Sequence, residues 1–499
     1  MEVFGYAPWG YEGHLVRVEI DLHRGIPGLE IVGLPGSAVK EARDRIRIAL
    51  HRAGFVYPQD RILINLSPAD LPKTGSGYDL PLALALLAAS GQWTAGEVSL
   101  LAHGELSLDG SLRRVPGTLA AAARAHELGL RHIAVPEAAV AEARGVPGLE
   151  LHAAATLTEL LAFWEQSSTT GTTETHHELA PTEPFLLRGQ PEVVKALQVG
   201  AAGGHSMLLY GPPGSGKTLA ARTFESLLPP FDGDLSLETS RLWSLAGKSP
   251  DPQGLLVSRP FREPHHSAST EGILGGGPLL SPGEISLAHH GTLFLDEAPE
   301  FSPRLLQALR EPLESGRIQV VRAGRSAWYP ARFLLLMTAN GCPCGQTGSH
   351  KGTCFCSAQQ VRRYWDRIGN ALMDRVDLRV FMTPADPQEV LQAPALSWEE
   401  VRDPVLVARQ RQRERGQGPS RPNSLLGLEE LRDLSALKAD SHDLLARWGH
   451  REDWSTRALG SVLRVALTLA DLEASPVLLR HLEAACNLRK PSGGEPWRD

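Results

Sequence analysis

The residues Gly211 to Thr218 read Gly-Pro-Pro-Gly-Ser-Gly-Lys-Thr and complete the pattern G-x-x-x-x-G-K-[ST]. The apolar run SMLLY precedes them and the alanine- and leucine-rich TLAART follows, so the motif sits between a strand and a helix. Gly211, Pro212, Pro213, Gly214, Ser215 and Gly216 are small or rigid, which lets successive backbone N–H groups turn toward phosphate oxygens. The start of the following helix adds partial positive charge. Lys217 would reach the β- and γ-phosphates of ATP, and the Thr218 hydroxyl would ligate Mg²⁺. A glycine-rich turn without a ligand is the bland alternative, and the strand and helix on either side speak against it.

Two further strand ends complete such a site. The run TLFLDEA closes on Asp296 and Glu297, which would hold Mg²⁺ and polarise an attacking water respectively. An acidic strand end is ordinarily just solvated, and it gains meaning here from the glycine loop. The run RFLLLMTAN closes on Asn340, whose amide can orient that water, although an asparagine at a strand end is also a common turn-former. Arg375, in ALMDRVDLRV, follows the third strand, and its guanidinium could offset charge on a transferred phosphoryl group. A salt bridge with Asp374 or Asp377 is its alternative. Arg457 opens STRALGSVLRVALTLADLE, where Leu459, Leu463, Ala466 and Ala470 form an apolar stripe. Arg457, Ser461, Arg464, Thr468 and Asp471 form the opposite face, which either approaches the phosphates or is simply solvated.

Four cysteines, Cys342, Cys344, Cys354 and Cys356, are spaced C-x-C-x₉-C-x-C directly after Asn340. Two close pairs separated by a loop can surround a tetrahedral structural Zn²⁺. Cys486 stands alone and is expected in a core as a small apolar residue. Adjacent His265 and His266 seldom ligate one ion unaided, and structural hydrogen bonding is the preferred reading.

At 499 residues the chain has room for about three domains that must position these groups. Residues 166–184 are rich in Ser and Thr and read as a linker. Residues 1–165 alternate β-type runs with Ala/Leu helices, an α/β domain. Residues 185–383 read as a parallel, doubly wound sheet, and residues 384–499 as helical. No apolar stretch is long enough for a membrane span and no secretion signal opens the chain, so the expectation is a cytoplasmic protein without a membrane partner. The five cysteines argue against a disulfide framework. A net charge of −7 gives no general basic footprint, and only 8 of the 50 basic residues are Lys, which favours guanidinium contacts to phosphate and carboxylate.

With these segments in view, GPPGSGKT, RPFREPHHSAS, GGGPLLSPGEISLAHHGTLFLDE, LREPLESGRI, PARFLLLMTAN and LMDRVDL together resemble the ComM/YifB subfamily of magnesium-chelatase-like AAA+ ATPases. The resemblance extends over essentially the whole length. It implies an AAA+ P-loop core with a C-terminal helical lid, sensor roles for Asn340 and Arg457, a finger role for Arg375, and a homo-hexameric helicase that promotes branch migration of DNA during natural transformation. Motors of this type project hairpins into a central pore. GILGGGPLLSPGE and SGRIQVVRAGRSAWYPARF fit such hairpins, with Arg322, Arg325 and Trp328 supplying phosphate contact and stacking for DNA. A solvated β-turn accounts for the same arginines.

SPADLPKTGSGYDLPLALALLAASG and the segment after it resemble the Lon protease domain, of the ribosomal S5 domain 2-like type. Gly77 and Leu119 fall where its Ser and Lys would stand, so peptidase activity is not expected and a nucleic-acid or assembly platform is. Two other functions stay in contention, the motor subunit of a metal chelatase and an ATP-dependent protease-like remodeller. A chelatase motor has no obvious need of this N-terminal domain.

Overall fold

Short apolar runs bounded by glycine and proline become the strands of two separate sheets, and the Ala/Leu-rich stretches become the helices that cover them. The structure is a computed structural model and describes residues 1–164, 168–169, 185, 187–231, 233–248, 254–322, 324–348, 352–392, 396–418, 421–435 and 439–490. Most of the linker expected at 166–184 lies outside them, but Ser168–Thr169 forms a strand that closes the first sheet and so belongs to the N-terminal domain. Among the described residues no helix is long and apolar enough to cross a membrane.

The N-terminal sheet runs Ser168–Thr169, Glu150–Ala154, His132–Pro136, Ser99–Ala102, Glu2–Ala7, His14–His23, Arg61–Ser67, Gly28–Val32. Side chains alternate across it: Leu100 and Ala102 join one buried cluster with the helices Ser37–Arg52 and Asp79–Ala89, while Leu101 joins another with Thr118–Glu127. The helix Asp79–Ala89 is apolar on all sides and correspondingly buried from Leu80 through Leu87. Its one charge, Asp79, is fully buried and satisfied by Arg45 at 2.8 and 2.9 Å and by the Leu106 N–H.

In the second sheet all strands are parallel, ordered Phe261–Arg262, Thr292–Leu295, Leu334–Ala339, Met207–Tyr210, Leu378–Phe381. Leu295 pairs with Met337 and Tyr210 with Ala339, so the three strands end side by side at one edge. Ligands of open parallel sheets bind outside that carboxyl edge. Both expected hairpins form: Gly275–Gly276 pairs with Ser281–Pro282, and Arg317–Arg322 with Arg325–Pro330. They are tied together by Tyr329, whose buried hydroxyl donates to the Leu280 carbonyl at 2.7 Å.

Beyond Pro384 the described chain is helical. Its central helix, Thr456–Leu472, corrects the amphipathic expectation, because Ser461, Thr468 and Asp471 are as buried as Leu463 and Ala466. The polar face meets polar partners rather than water. Asp471 accepts from Arg415 and from Asn423 (2.8 Å), and Thr468 bonds to His205 (2.9 Å) and Asn423 (3.0 Å).

The N-terminal domain docks on the core helix Gly233–Leu245. Arg241 of that helix pairs with Glu127 at 2.5 Å and lies 4.6 Å from the centre of the Tyr11 ring. Ser244 donates to Glu142 at 2.6 Å and accepts from the Leu119 N–H.

Candidate nucleotide site

Lys217 is the first residue of the helix Lys217–Leu227, which follows directly from the loop Gly211–Gly216. Gly214 and Gly216 take φ of 80° and 88°, a left-handed backbone that costs glycine nothing. Gly211 is required for another reason: a Cβ there would come within 2.1 Å of the Met382 carbonyl oxygen, just past the neighbouring strand Leu378–Phe381. Gln190 clasps the loop from outside, donating to the carbonyls of Ser215 (3.1 Å) and Thr383 (2.8 Å).

The Lys217 ammonium turns inward and donates to the carbonyls of Gly211 (2.8 Å) and Pro212 (3.0 Å) and to Asn340 Oδ1 (3.2 Å). Burial depresses its pKa, and the nearby Asp296 and Glu297 carboxylates oppose the shift. Lysine, acidic pair and asparagine, separated by more than a hundred residues at the extreme, therefore share one locale, as expected for Lys217, Asp296, Glu297 and Asn340.

Thr338 joins these strand ends, and the sequence reading missed it. Its hydroxyl donates to Asp296 Oδ1 at 2.5 Å and accepts from the Glu297 N–H at 2.8 Å. Glu297 has a φ of 52°, uncommon for a residue with a side chain, and the Thr338 bond holds that conformation. Its carboxylate is thereby exposed while Asp296 is half-buried. A lone hydroxyl residue in the otherwise apolar LLLMTA was the available signal.

The residues present fit a magnesium nucleotide. The helix N-terminus lacks any side-chain cap, Thr218 is exposed beside it, and the buried Ser215 hydroxyl has no hydrogen-bond partner among the described residues.

Arg375 and Arg457 converge elsewhere, on Glu314. Arg375 Nη2 lies 2.8 Å from that carboxylate and Nη1 donates to the Ala371 carbonyl at 2.6 Å, while Arg457 Nη2 bonds the other carboxylate oxygen. The carboxylate weighed for Arg375 from sequence was Asp374 or Asp377, and the structure corrects this. Asp374 is held by Arg489 at 3.0 Å, and Asp377 by His205 at 3.0 Å and by Ser461. Arg375 and Arg457 hold the Glu314 carboxyl below its usual pKa; Glu314 and Arg457 are partly exposed, at 48% and 38%, while the Arg375 side chain is mostly covered at 13%.

The four cysteines come together as expected. Cys342 lies 3.3 Å from Cys344 and 3.5 Å from Cys354, Cys344 lies 3.7 Å from Cys354, and all four sulfurs lie within 4.8 Å of one another. A tetrahedron of thiolates about 2.3 Å from Zn²⁺ has edges of about 3.8 Å, so the quartet needs little movement to receive one. Burial pushes the Cys342 thiol up, but bonds from Thr347, Cys344 and Cys354 outweigh it and bring the pKa to about 6. Tyr364 and Trp365 brace this region against the Asn340 strand, through bonds to the Asn340 N–H and the Gly341 carbonyl.

Of the residues expected to touch DNA, Arg325 lies over Trp9 (5.9 Å to the ring centre) and Trp328 packs on Tyr11 (5.9 Å between centroids). Arg322 is 3.4 Å from Glu271, in the short helix Thr270–Leu274 that leads into the other hairpin. All three are exposed, at or near the hairpin tip. His265 bonds Ser267 at 2.7 Å, in keeping with a structural role, and Cys486 is fully buried.

Comparison with known proteins accounts for this arrangement. Three family models match in succession: "Subunit ChlI of Mg-chelatase" over residues 18–139, "Magnesium chelatase, subunit ChlI" over 186–390, and "Magnesium chelatase, subunit ChlI C-terminal" over 395–489. The chain is 40% identical to the uncharacterized protein YifB of Escherichia coli K12, across 97% of this chain and 96% of that one. It is 38% identical to competence protein ComM of Haemophilus influenzae, across 98% and 97%. The chain belongs to the ComM/YifB subfamily of magnesium-chelatase-like AAA+ ATPases. A more distant relative, the magnesium-chelatase 38 kDa subunit of Rhodobacter capsulatus, is 27% identical over 32% of this chain and 51% of its own.

Proposed function

We propose that this protein is a Mg²⁺-dependent ATPase that works in the cytoplasm as a homo-hexameric motor on single-stranded or branched DNA, promoting branch migration in homologous recombination during natural transformation. The observation that carries the ATPase reading is the meeting of Lys217, Asn340, Asp296 and Glu297 around a loop whose backbone and helix start suit phosphate. Lys217 would exchange its carbonyl partners for phosphate oxygens. Thr218 and Asp296 would hold Mg²⁺, which supplies charge neutralisation when bound. Glu297, fixed by Thr338, would take a proton from water that Asn340 orients. Arg375, released from Glu314, would serve a neighbouring subunit's triphosphate, and Arg457 would approach the phosphates from the lid as a sensor.

The DNA reading is supported by the competence role in the name of the Haemophilus relative and by the guanidinium groups and indole at the hairpin. The N-terminal domain is read as a Lon-like platform without peptidase chemistry. Gly77 packs so closely that a Cβ would lie 2.7 Å from the His103 ring, and Leu119 is fully buried. The cysteine quartet would hold a structural Zn²⁺.

Lys217→Ala is expected to abolish phosphate release by the purified protein, and undiminished turnover would remove the basis of the proposal. DNA is expected to stimulate the unsubstituted ATPase and to be unwound from a labelled branched substrate. Stimulation by a porphyrin and a partner subunit, with none by DNA, would instead favour the chelatase motor suggested by the family name.

A further inference from the structure

Three Lewis bases meet near one edge of the N-terminal sheet, far in sequence from the groups of the nucleotide site and the cysteine quartet. The strands His132–Pro136 and Glu150–Ala154 run parallel, with His132 opposite Glu150 and Ala134 opposite His152. Residues of both strands alternate between faces. Ile133, Val135 and Leu151 lie in one buried cluster and Ala134 and Ala154 in the other, so His132, Glu150 and His152 share a face. His132 Nδ1 is 3.2 Å from His152 Nε2 and 3.4 Å from a Glu150 carboxylate oxygen, and all three ligand atoms lie within 4.8 Å of one another.

The protons decide what this cluster can do. His152 Nδ1 is 3.0 Å from the Trp164 carbonyl oxygen, which can only accept, so Nδ1 carries the hydrogen. The lone pair is then on Nε2 and points at His132. His132 Nδ1 can hold one hydrogen at most, yet it faces two acceptors, Nε2 and the carboxylate. A cation satisfies all three groups at once. Donors about 2.0–2.1 Å from a tetrahedral Zn²⁺ are separated by about 3.3–3.4 Å, close to the 3.2 and 3.4 Å that separate His132 Nδ1 from its two neighbours. The carbonyl bond to the far nitrogen of His152 is the support that metal-bound imidazoles usually receive, and the Trp164 ring stacks on His152 at 3.7 Å and 4°, fixing its plane.

The cluster of Glu238, His289 and His290 provides the contrast. There His289 Nδ1 accepts the Arg332 N–H at 2.9 Å, which forces its hydrogen onto Nε2, 3.1 Å from Glu238. That nitrogen carries the hydrogen and offers no lone pair to a cation, and His290 Nε2 bonds the other Glu238 oxygen at 2.9 Å.

We propose that His132, Glu150 and His152 form a binding site for a divalent transition metal of the Zn²⁺ type. Two imidazoles and a carboxylate suit Zn²⁺, Co²⁺, Ni²⁺ or Cu²⁺ and not Mg²⁺. The fourth position would be filled by water, since His132 and Glu150 keep side-chain exposures of 20% and 42%. The metal would pin the two strands together and, through His152, to Trp164.

The test uses the full chain, stripped with a chelator, reloaded with Co²⁺ or Zn²⁺ and freed of excess by gel filtration at micromolar concentration. His132→Gln and Glu150→Gln are each expected to hold one equivalent less metal than the unsubstituted chain, with unchanged far-UV circular dichroism and undiminished ATP turnover. The Co²⁺ spectrum is expected to retain any thiolate charge-transfer band, which separates this site from the cysteines. Metal content in Glu150→Gln equal to that of the unsubstituted chain would overturn the site. That side chain is exposed enough for the variant to fold even where His132→Gln does not.

Discussion

At the scale of single residues, Thr338 shows how a group without chemistry of its own can set the geometry of two that have it. One hydroxyl fixes the Asp296 rotamer and the unusual backbone of Glu297. Thr338→Val keeps the shape and the strand preference but removes both bonds. It is expected to lower ATP turnover by ~10- to 100-fold, the usual cost of losing a supporting contact behind a metal or catalytic ligand. Steady-state phosphate release, compared with fluorescent-nucleotide binding that stays near the unsubstituted level, checks this. The sequence could name Asp296 and Glu297 because adjacent carboxylates at a strand end are conspicuous. It could not name Thr338, because a threonine in a strand is ordinary until the register places it beside them.

At the scale of elements, the helix Thr456–Leu472 and the turn before Leu378–Phe381 are held by a buried polar network. Asp377 is its hub, bonded to His205 and Ser461, while Arg489 reaches Ser461 at 3.1 Å and the Val376 carbonyl. Burial would raise the Asp377 pKa, but His205, Ser461 and Arg489 outweigh it and hold it below the ordinary carboxylate value. Its ionised form is therefore favoured by folding. The resulting stability is complete above the unfolded pKa of about 4 and is lost as the pH falls through the lower, folded value. Asp377→Asn is expected to cost ~1–3 kcal/mol near neutrality. The variant should also show a shallower fall of Tm between about pH 5 and 3 than the unsubstituted protein, as thermal melts across that range would show. Sequence periodicity assigned the helix correctly but read its polar face as facing phosphate or water, because a period reveals a face and not what covers it.

At the scale of the whole molecule, the groups proposed for one hydrolysis event are split between two places. Lys217 and the acidic pair lie at the carboxyl edge of the sheet, while Arg375 and Arg457 stand together on Glu314. On the proposed assembly, a subunit's Arg375 completes its neighbour's site. Arg375→Ala alone should slow turnover by about 10³-fold, the scale of a lost arginine finger. Mixing Arg375→Ala with Lys217→Ala subunits should restore measurable turnover, since some sites then combine an intact lysine with a neighbour's intact arginine. Phosphate release from the mixture, against each variant alone, is the measurement, and no recovery would argue that both groups act within one chain.

The glycine loop, the acidic pair, Asn340 and the cysteine quartet were legible in the sequence because each is local: its residue types and spacing state its chemistry within a few positions. So was the order of an α/β domain, a parallel core and a helical end, which follows from hydrophobic period alone. The partners of Arg375 and Arg457, the bracing by Thr338, and the meeting of His132, Glu150 and His152 were not legible. Each depends on strand register or on surfaces brought together across long stretches of chain, and only folding decides which groups then share a few ångströms.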